Sequence, residues 1–214
     1  MGTFLKTPSS IVAEVLSITD LDVFCVDAEH APFGPLETDQ CIAAFRAADA
    51  PSLVRVADDS STAIRSALDC GATGVLVPHV TTAQQAAAIV KAAHFGDGGR
   101  GFAGSPRAAG YTTRSMQQYM ADSAEQTTVI VQIEDLAALD NVAEIAAVPG
   151  VDAIFVGRID LAVAMSCSPM DDAVVAAIQK VCDDAKGADA AVGMFTPDLS
   201  EIPMWRDKGT SLFL

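Results

Sequence analysis

Short apolar runs alternate along the chain with longer, Ala-rich stretches of mixed polarity. Residues 3–6, 22–27, 52–56, 74–78, 127–134, 153–157, 191–195 and 211–214 read as strands. These runs are nearly continuous in Val, Ile, Leu and Phe, the pattern of strands buried on both faces and hence of a parallel sheet. Residues 10–17, 36–48, 60–68, 82–93, 136–146, 171–186 and 199–208 between them read as helices. The alternation predicts an α/β fold, a (β/α)8 TIM barrel, with residues 1–214 as one domain. A doubly wound open sheet is the alternative, but its usual Gly-rich turn after the first strand is missing. The last predicted strand has no helix after it, so the eighth helix is apparently absent from this sequence. Either the sequence is cut short, or a neighbouring subunit covers the exposed apolar surface.

Half of the residues are hydrophobic, enough for a large core. A net charge of −15 leaves no basic patch to follow phosphates, which argues against a nucleic-acid partner. The five cysteines are scattered without metal-ligand spacing, as expected of reduced thiols. No leader sequence and no apolar run of membrane-spanning length are seen. The expectation is a cytoplasmic enzyme with no membrane partner.

Barrel enzymes carry their chemistry at the C-terminal ends of the strands. In chain order those ends hold Phe4 and Lys6, then Asp27-Ala28-Glu29-His30, Arg55, Pro78-His79, Gln132 with Glu134, and Asp160. Gln132 and Glu134, two residues apart on a strand, share one face. Glu134 and Asp160 close successive apolar strands, where a charged carboxylate is costly unless something binds it. Two carboxylates, with water and substrate completing the shell, suit Mg²⁺ or Mn²⁺, with Co²⁺ a further option. Zn²⁺ would draw more His or Cys. The plainer reading of Glu134 is a loop-start acid, and of Asp160 a helix N-cap.

Arg55 lies on a buried strand and needs an anion. That anion is either Asp27 or Glu29 in an ion pair, or the oxyanion or carboxylate of a substrate. His30 is a candidate general base that Asp69 could orient, although a surface-loop histidine without a role is common. His79 ranks below it because its own segment offers no acid, and His94 reads as a helix-end cap. The Gly-rich stretch 96–104 follows a helix rather than a strand, so it lacks the setting of a dinucleotide turn. It reads as a mobile active-site loop carrying Arg100 and Arg107 to a substrate. Schiff-base chemistry needs a buried lysine inside the barrel. Lys91, Lys180, Lys186 and Lys208 fall on helices or turns, and Lys6 has no desolvating or cationic neighbour in sequence. Metal-assisted chemistry is therefore favoured.

Several fragments, taken in order and spacing, resemble the HpcH/HpaI aldolase family of metal-dependent pyruvate aldolases. They run from Gly2-Thr3-Phe4-Leu5 through Asp27-Ala28-Glu29-His30-Ala31-Pro32, Val54-Arg55 and Leu68-Asp69-Cys70-Gly71-Ala72. They continue with Leu76-Val77-Pro78, Gly99-Arg100-Gly101, Val131-Gln132-Ile133-Glu134 and Gly150-Val151-Asp152, and close with Phe155-Val156-Gly157-Arg158-Ile159-Asp160-Leu161. The resemblance implies aldol cleavage and condensation of 4-hydroxy-2-oxo acids, giving pyruvate or hydroxypyruvate and an aldehyde. It implies Glu134 and Asp160 as metal ligands, and His30, oriented by Asp69, as a base acting through water. Arg55 would stabilise the enolate oxygen, and Gln132 would order metal-bound water. The backbone around Ile159 and Asp160 would hold the substrate carboxylate, Phe4 and Met194 would shape the pocket, and Asp27 and Arg107 would lie near the aldehyde. It also implies a homo-oligomer, a hexamer whose subunits exchange the last helix.

Two other readings compete. A citrate-lyase-β-like enzyme acting on acyl-CoA would need a basic groove, for which only the Arg100–Arg107 loop offers charge. A catalytically silent binding barrel fits poorly with so complete a set of polar strand ends. One departure from the family pattern stands out: Arg158 replaces the proline that usually follows Gly157. It is expected to add an amide N–H and a cation near the barrel mouth.

Overall fold

The computed structural model describes residues 1–214. Eight strands form one sheet in chain order. They are β1 Gly2–Leu5, β2 Val23–Asp27, β3 Ser52–Arg55, β4 Gly74–Val77, β5 Thr128–Ile133, β6 Ala153–Val156, β7 Ala191–Met194 and β8 Leu212–Phe213. The registers of β1 to β4 and of β5 to β8 are parallel throughout. The helices between them are α1 Ser10–Ser17, α2 Pro35–Ala47, α3 Ser61–Cys70, α4 Ala83–Ala93, α5 Met116–Gln126, α6 Val142–Ala146, α7 Arg158–Ala164, α8 Asp172–Gly187 and α9 Ile202–Asp207. This is the (β/α)8 TIM-barrel class, and each strand lies within one residue of its predicted ends.

Two helices were not anticipated. The α5 segment is too polar to show an apolar stripe, and its start is marked only by Ser115, whose hydroxyl accepts from the Gln118 amide at 3.2 Å. Helix α7 begins directly after β6 with Gly157 at its N-cap. Asp160 therefore sits in its first turn and is not the cap itself.

The chain packs as two compact units. In Met1–Val77 with Ile89–Val129, Phe24 of β2 stacks on Phe45 of α2 at 4.8 Å, with Ile42, Ile64, Leu68 and Leu76 fully buried. In Pro78–Ala88 with Ile130–Leu214, helix α8 buries Val174, Ile178, Val181, Cys182 and Ala185 on one helical face, and Ile154, Phe155 and Trp205 are fully enclosed. Each such large apolar side chain contributes roughly 1.5–3 kcal/mol of burial. All five cysteines are free thiols. Burial pushes the Cys25 thiol up to about 12 and that of Cys70 up to about 11. No helix is long and apolar enough to cross a membrane.

One consequence of the alternation matters for the site. Each helix returns the chain to the N-terminal ends of the strands. Thr73, just after α3, exchanges hydrogen bonds with Ser52, the first residue of β3 (3.1 and 2.9 Å). The last turn of α3 is therefore at the opposite end of β3 from Arg55.

Gly74 opens β4 where a Cβ would lie 2.3 Å from the Thr128 carbonyl oxygen, whereas at Gly187, at the end of α8, it would meet open space. Gly74→Ala is expected to lose about 2 kcal/mol or more, and Gly187→Ala to be neutral or gain up to about 1 kcal/mol. Urea midpoints of the two variants check this; equal shifts would contradict it.

Candidate active site

In the first unit the polar strand ends form one network around a buried carboxylate. Asp27, the last residue of β2, lies in register with Arg55, the last residue of β3. The Asp27 side chain is fully buried. It accepts from Arg55 Nε at 3.0 Å and from Nη2 at 2.7 Å, a two-pronged pair. It also accepts the backbone amides of Glu29 (3.3 Å) and His30 (3.1 Å), and Lys6 Nζ stands 3.5 Å away. Burial pushes the Asp27 pKa up, but the Arg55 and His30 hydrogen bonds and the nearby cations outweigh it. The carboxyl is held below its ordinary range. Arg55 is raised in turn, because Asp27 and Glu29 overcome the cost of burying it.

Arg55 Nε also lies 3.3 Å from Glu29 Oε2, and the guanidinium covers the Phe4 ring at 4.5 Å. The ion pair, one of the two alternatives for Arg55, is thus present, and it fixes the plane of the guanidinium. The Asp27 oxygens are engaged by Arg55 and by the two backbone amides. His30 is exposed, with Nε2 3.7 Å from Glu29 Oε2.

Asp69 does not meet His30 within the chain. It stands in the last turn of α3, separated from the end of β2 by the length of β3, about 10 Å at 3.3 Å per residue. Its partner is Arg100, whose Nη2 lies 2.5 Å away and also donates to the Tyr119 hydroxyl at 2.8 Å. The Arg100 side chain is turned into the fold. Arg100 is buried over the Phe95 ring at 4.7 Å, among Phe95, Phe102 and Tyr119. Arg107 pairs with Asp39 of α2 at 2.8 Å. It lines an open cavity of about 540 Å³ with Thr62, Ser66, Asp69 and Cys70 along α3.

In the second unit, strand alternation places Gln132 and Glu134 together as expected, 1% and 3% exposed. Gln132 Nε2 donates to Glu134 Oε2. Glu134 Oε1 accepts from the His79 amide at 2.9 Å, and His79 Nδ1 lies 3.3 Å from the same oxygen. That ring nitrogen is also 3.0 Å from Asp135 Oδ2. His79 was ranked low for want of a nearby acid; its acids come from the end of β5, which local sequence does not reveal. Its backbone is left-handed (φ 57°), a conformation uncommon for a residue with a side chain.

Gly157 has a clear reason. A Cβ there would lie 2.5 Å from Glu134 Cβ and 2.8 Å from Oε2. Only glycine lets Glu134 rest against the start of α7. Asp160, three residues on, is exposed and makes no capping bond. Ile159 is exposed beside it, and Met194 is buried at the end of β7. Arg158 is not a cation at the mouth. It is buried, with Nη1 2.7 Å from Glu201 Oε2, because an unpaired guanidinium there would be costly.

Glu134 is a buried oxygen donor here, and Asp160 an exposed one. The buried Gln132 Oε1 has no hydrogen-bond partner. An orphaned amide oxygen beside a buried carboxylate fits a site completed by a cation and its water.

The strands form a (β/α)8 fold with a fixed guanidinium in the first unit and, in the second, a histidine beside Glu134 and Asp135. The HpcH/HpaI aldolase/citrate lyase family model matches residues 1–212, and the chain belongs to that family. It is 35% identical over 219 aligned positions to a hydroxypyruvate/pyruvate aldolase of Paraburkholderia phytofirmans, covering 97% of this chain and 83% of the relative. It is also 35% identical to a 4-hydroxy-2-oxovalerate aldolase of Rhodococcus jostii, covering 92% and 77%. A solved HpcH/HpaI aldolase/citrate lyase family protein from Burkholderia cenocepacia superposes with a TM-score of 0.93 at 34% identity, covering 99% of this chain and 85% of that one. By family and relatives the protein is an aldolase, a carbon–carbon lyase.

Asp27→Asn keeps the shape but removes the charge facing Arg55. It is expected to cost about 3 kcal/mol near neutral pH. A depressed carboxyl stabilises the fold above its unfolded pKa, and that stabilisation is lost as pH falls through the lower folded value. The stability gap between wild type and variant should therefore narrow below about pH 4. Urea unfolding at several pH values tests this; a gap constant under acidification would contradict the pair.

Proposed function

We propose that this chain, as one catalytic domain, performs divalent-metal-dependent aldol cleavage and condensation of 4-hydroxy-2-oxo acids. The products of cleavage are pyruvate or hydroxypyruvate and an aldehyde. The observation that carries this reading is the buried Glu134, packed on Gly157 with an orphaned Gln132 oxygen beside it. The names of the aldolase relatives support the substrate class.

Glu134 and Asp160 would hold Mg²⁺ or Mn²⁺, which when bound polarises the carbonyl of the 2-oxo acid. Arg55, held flat by Asp27, directs its remaining N–H groups to the oxygen on which negative charge grows. His30 takes the proton of the 4-hydroxyl through a water as the C3–C4 bond breaks. The aldehyde leaves, and the enolate carbon regains a proton at C3 to give the oxo acid. Gln132 orders water with its free carbonyl oxygen. The backbone at Ile159 and Asp160 orients the substrate carboxylate, and Phe4 and Met194 wall the pocket. With Arg100 tied to Asp69 and Arg107 to Asp39, the chain loses the basic loop that an acyl-CoA reading required.

Asp69 can serve His30 only from another copy of the chain. The homo-oligomer, a hexamer by resemblance, would set one copy's cavity at Asp69 and Arg107 against the strand ends of the next. Buried, reduced thiols suit a cytoplasmic setting.

Chelator-treated protein should release no pyruvate from a 4-hydroxy-2-oxo acid until Mg²⁺ or Mn²⁺ is restored, and Glu134→Ala should abolish the response. Metal-independent turnover would sink the proposal. His30→Ala and Asp69→Ala should each be nearly inactive alone, yet regain activity when mixed and allowed to exchange subunits. A fully active Asp69→Ala would remove the shared dyad.

A further inference from the structure

Arg158 is the first residue of α7 and only 3% exposed. A buried guanidinium costs several kcal/mol unless it is paired. Its partners come from elsewhere in the second unit. Nη1 lies 2.7 Å from Glu201 Oε2 and 3.0 Å from Met170 Sδ. The guanidinium carbon is 5.5 Å from the centre of the Trp205 ring, and Trp205 Nε1 donates to the same Glu201 oxygen at 3.3 Å. Glu201 immediately precedes α9, and Met170 lies between α7 and α8. One side chain thus ties the start of α7 to the start of α9 and to the segment before α8.

Helix α7 has seven residues, too few to hold its own position. Its placement is set by what its first turn is attached to. Gly157, one residue before Arg158, touches Glu134. Asp160, two residues after, is the other acid. Both acids are therefore positioned against the turn that Arg158 secures. A proline here would preset the first-turn φ through its ring. Arginine leaves the backbone free and secures the turn through its side chain instead.

We infer that the Arg158–Glu201–Trp205 cluster is a positioning latch that sets Asp160 against Glu134 and so governs divalent-cation affinity and the KM for the 2-oxo acid. This rests on the assignment of Glu134 and Asp160 as the cation ligands. The latch touches neither cation nor substrate, so it acts on binding more than on turnover.

The test is a Mn²⁺ titration of chelator-stripped protein, read by the loss of the free-ion electron paramagnetic resonance signal, alongside KM and kcat. Two variants are used: Arg158→Met, and the double variant Arg158→Met/Glu201→Met. The double variant replaces the ion pair by apolar volume and keeps the fold testable if the single one unfolds. Both should weaken Mn²⁺ binding about 10- to 100-fold, the usual effect of losing an outer support of a metal site. KM should rise with it, and kcat should change by no more than about threefold. Arg158→Lys, lacking the planar fork, should not reach wild-type affinity. A folded double variant with wild-type Mn²⁺ affinity and KM would overturn the latch. Wild-type protein that binds no Mn²⁺ would instead overturn the metal assignment, so the two failures are separable.

Discussion

A carboxylate buried at the end of an apolar strand is the constraint on which the second unit is built. Glu134 leaves water at a cost that only nearby donors or a cation can offset. The structure supplies the Gln132 amide, the His79 backbone and ring, and a glycine with no Cβ to push it away. Each of these is an ordinary requirement of polar burial. Together they leave one amide oxygen unmatched, that of Gln132.

The first unit solves the mirror problem, a buried cation. Arg55 ends a strand inside the fold, and Asp27 takes two of its donors in register on the neighbouring strand. The same carboxylate accepts the Glu29 and His30 amides, so it shapes the turn that presents His30. Asp27 thereby links the guanidinium to the proposed base without needing to touch substrate. Arg158 and Glu201 repeat this logic at α7, using a charge pair to place a backbone turn.

The strands were legible because burial on both faces leaves continuous apolar runs, and Gln132 and Glu134 shared a face because strand side chains alternate. Helix α5 was not legible, since its polar sequence carries no stripe. The acids beside His79 come from β5, and no local rule connects them. Asp69 was drawn to His30 by motif order, but a helix that returns to the start of its sheet carries it to the far end of β3. The glycines around Arg100 gave no sign of the aromatic side chains packed on that arginine. For His79 and Asp69 the missing information was a contact between segments distant in sequence.

In the proposed reaction these residues, with a divalent cation, make an enolate from a 2-oxo acid. Exchange of the pyruvate methyl protons in D₂O, followed by proton NMR, reads that step without any aldehyde. The methyl signal is expected to decay with protein and Mg²⁺ and to stop decaying when a chelator is added. A signal that stays constant with Mg²⁺ present, or one that decays equally in chelator, would contradict it.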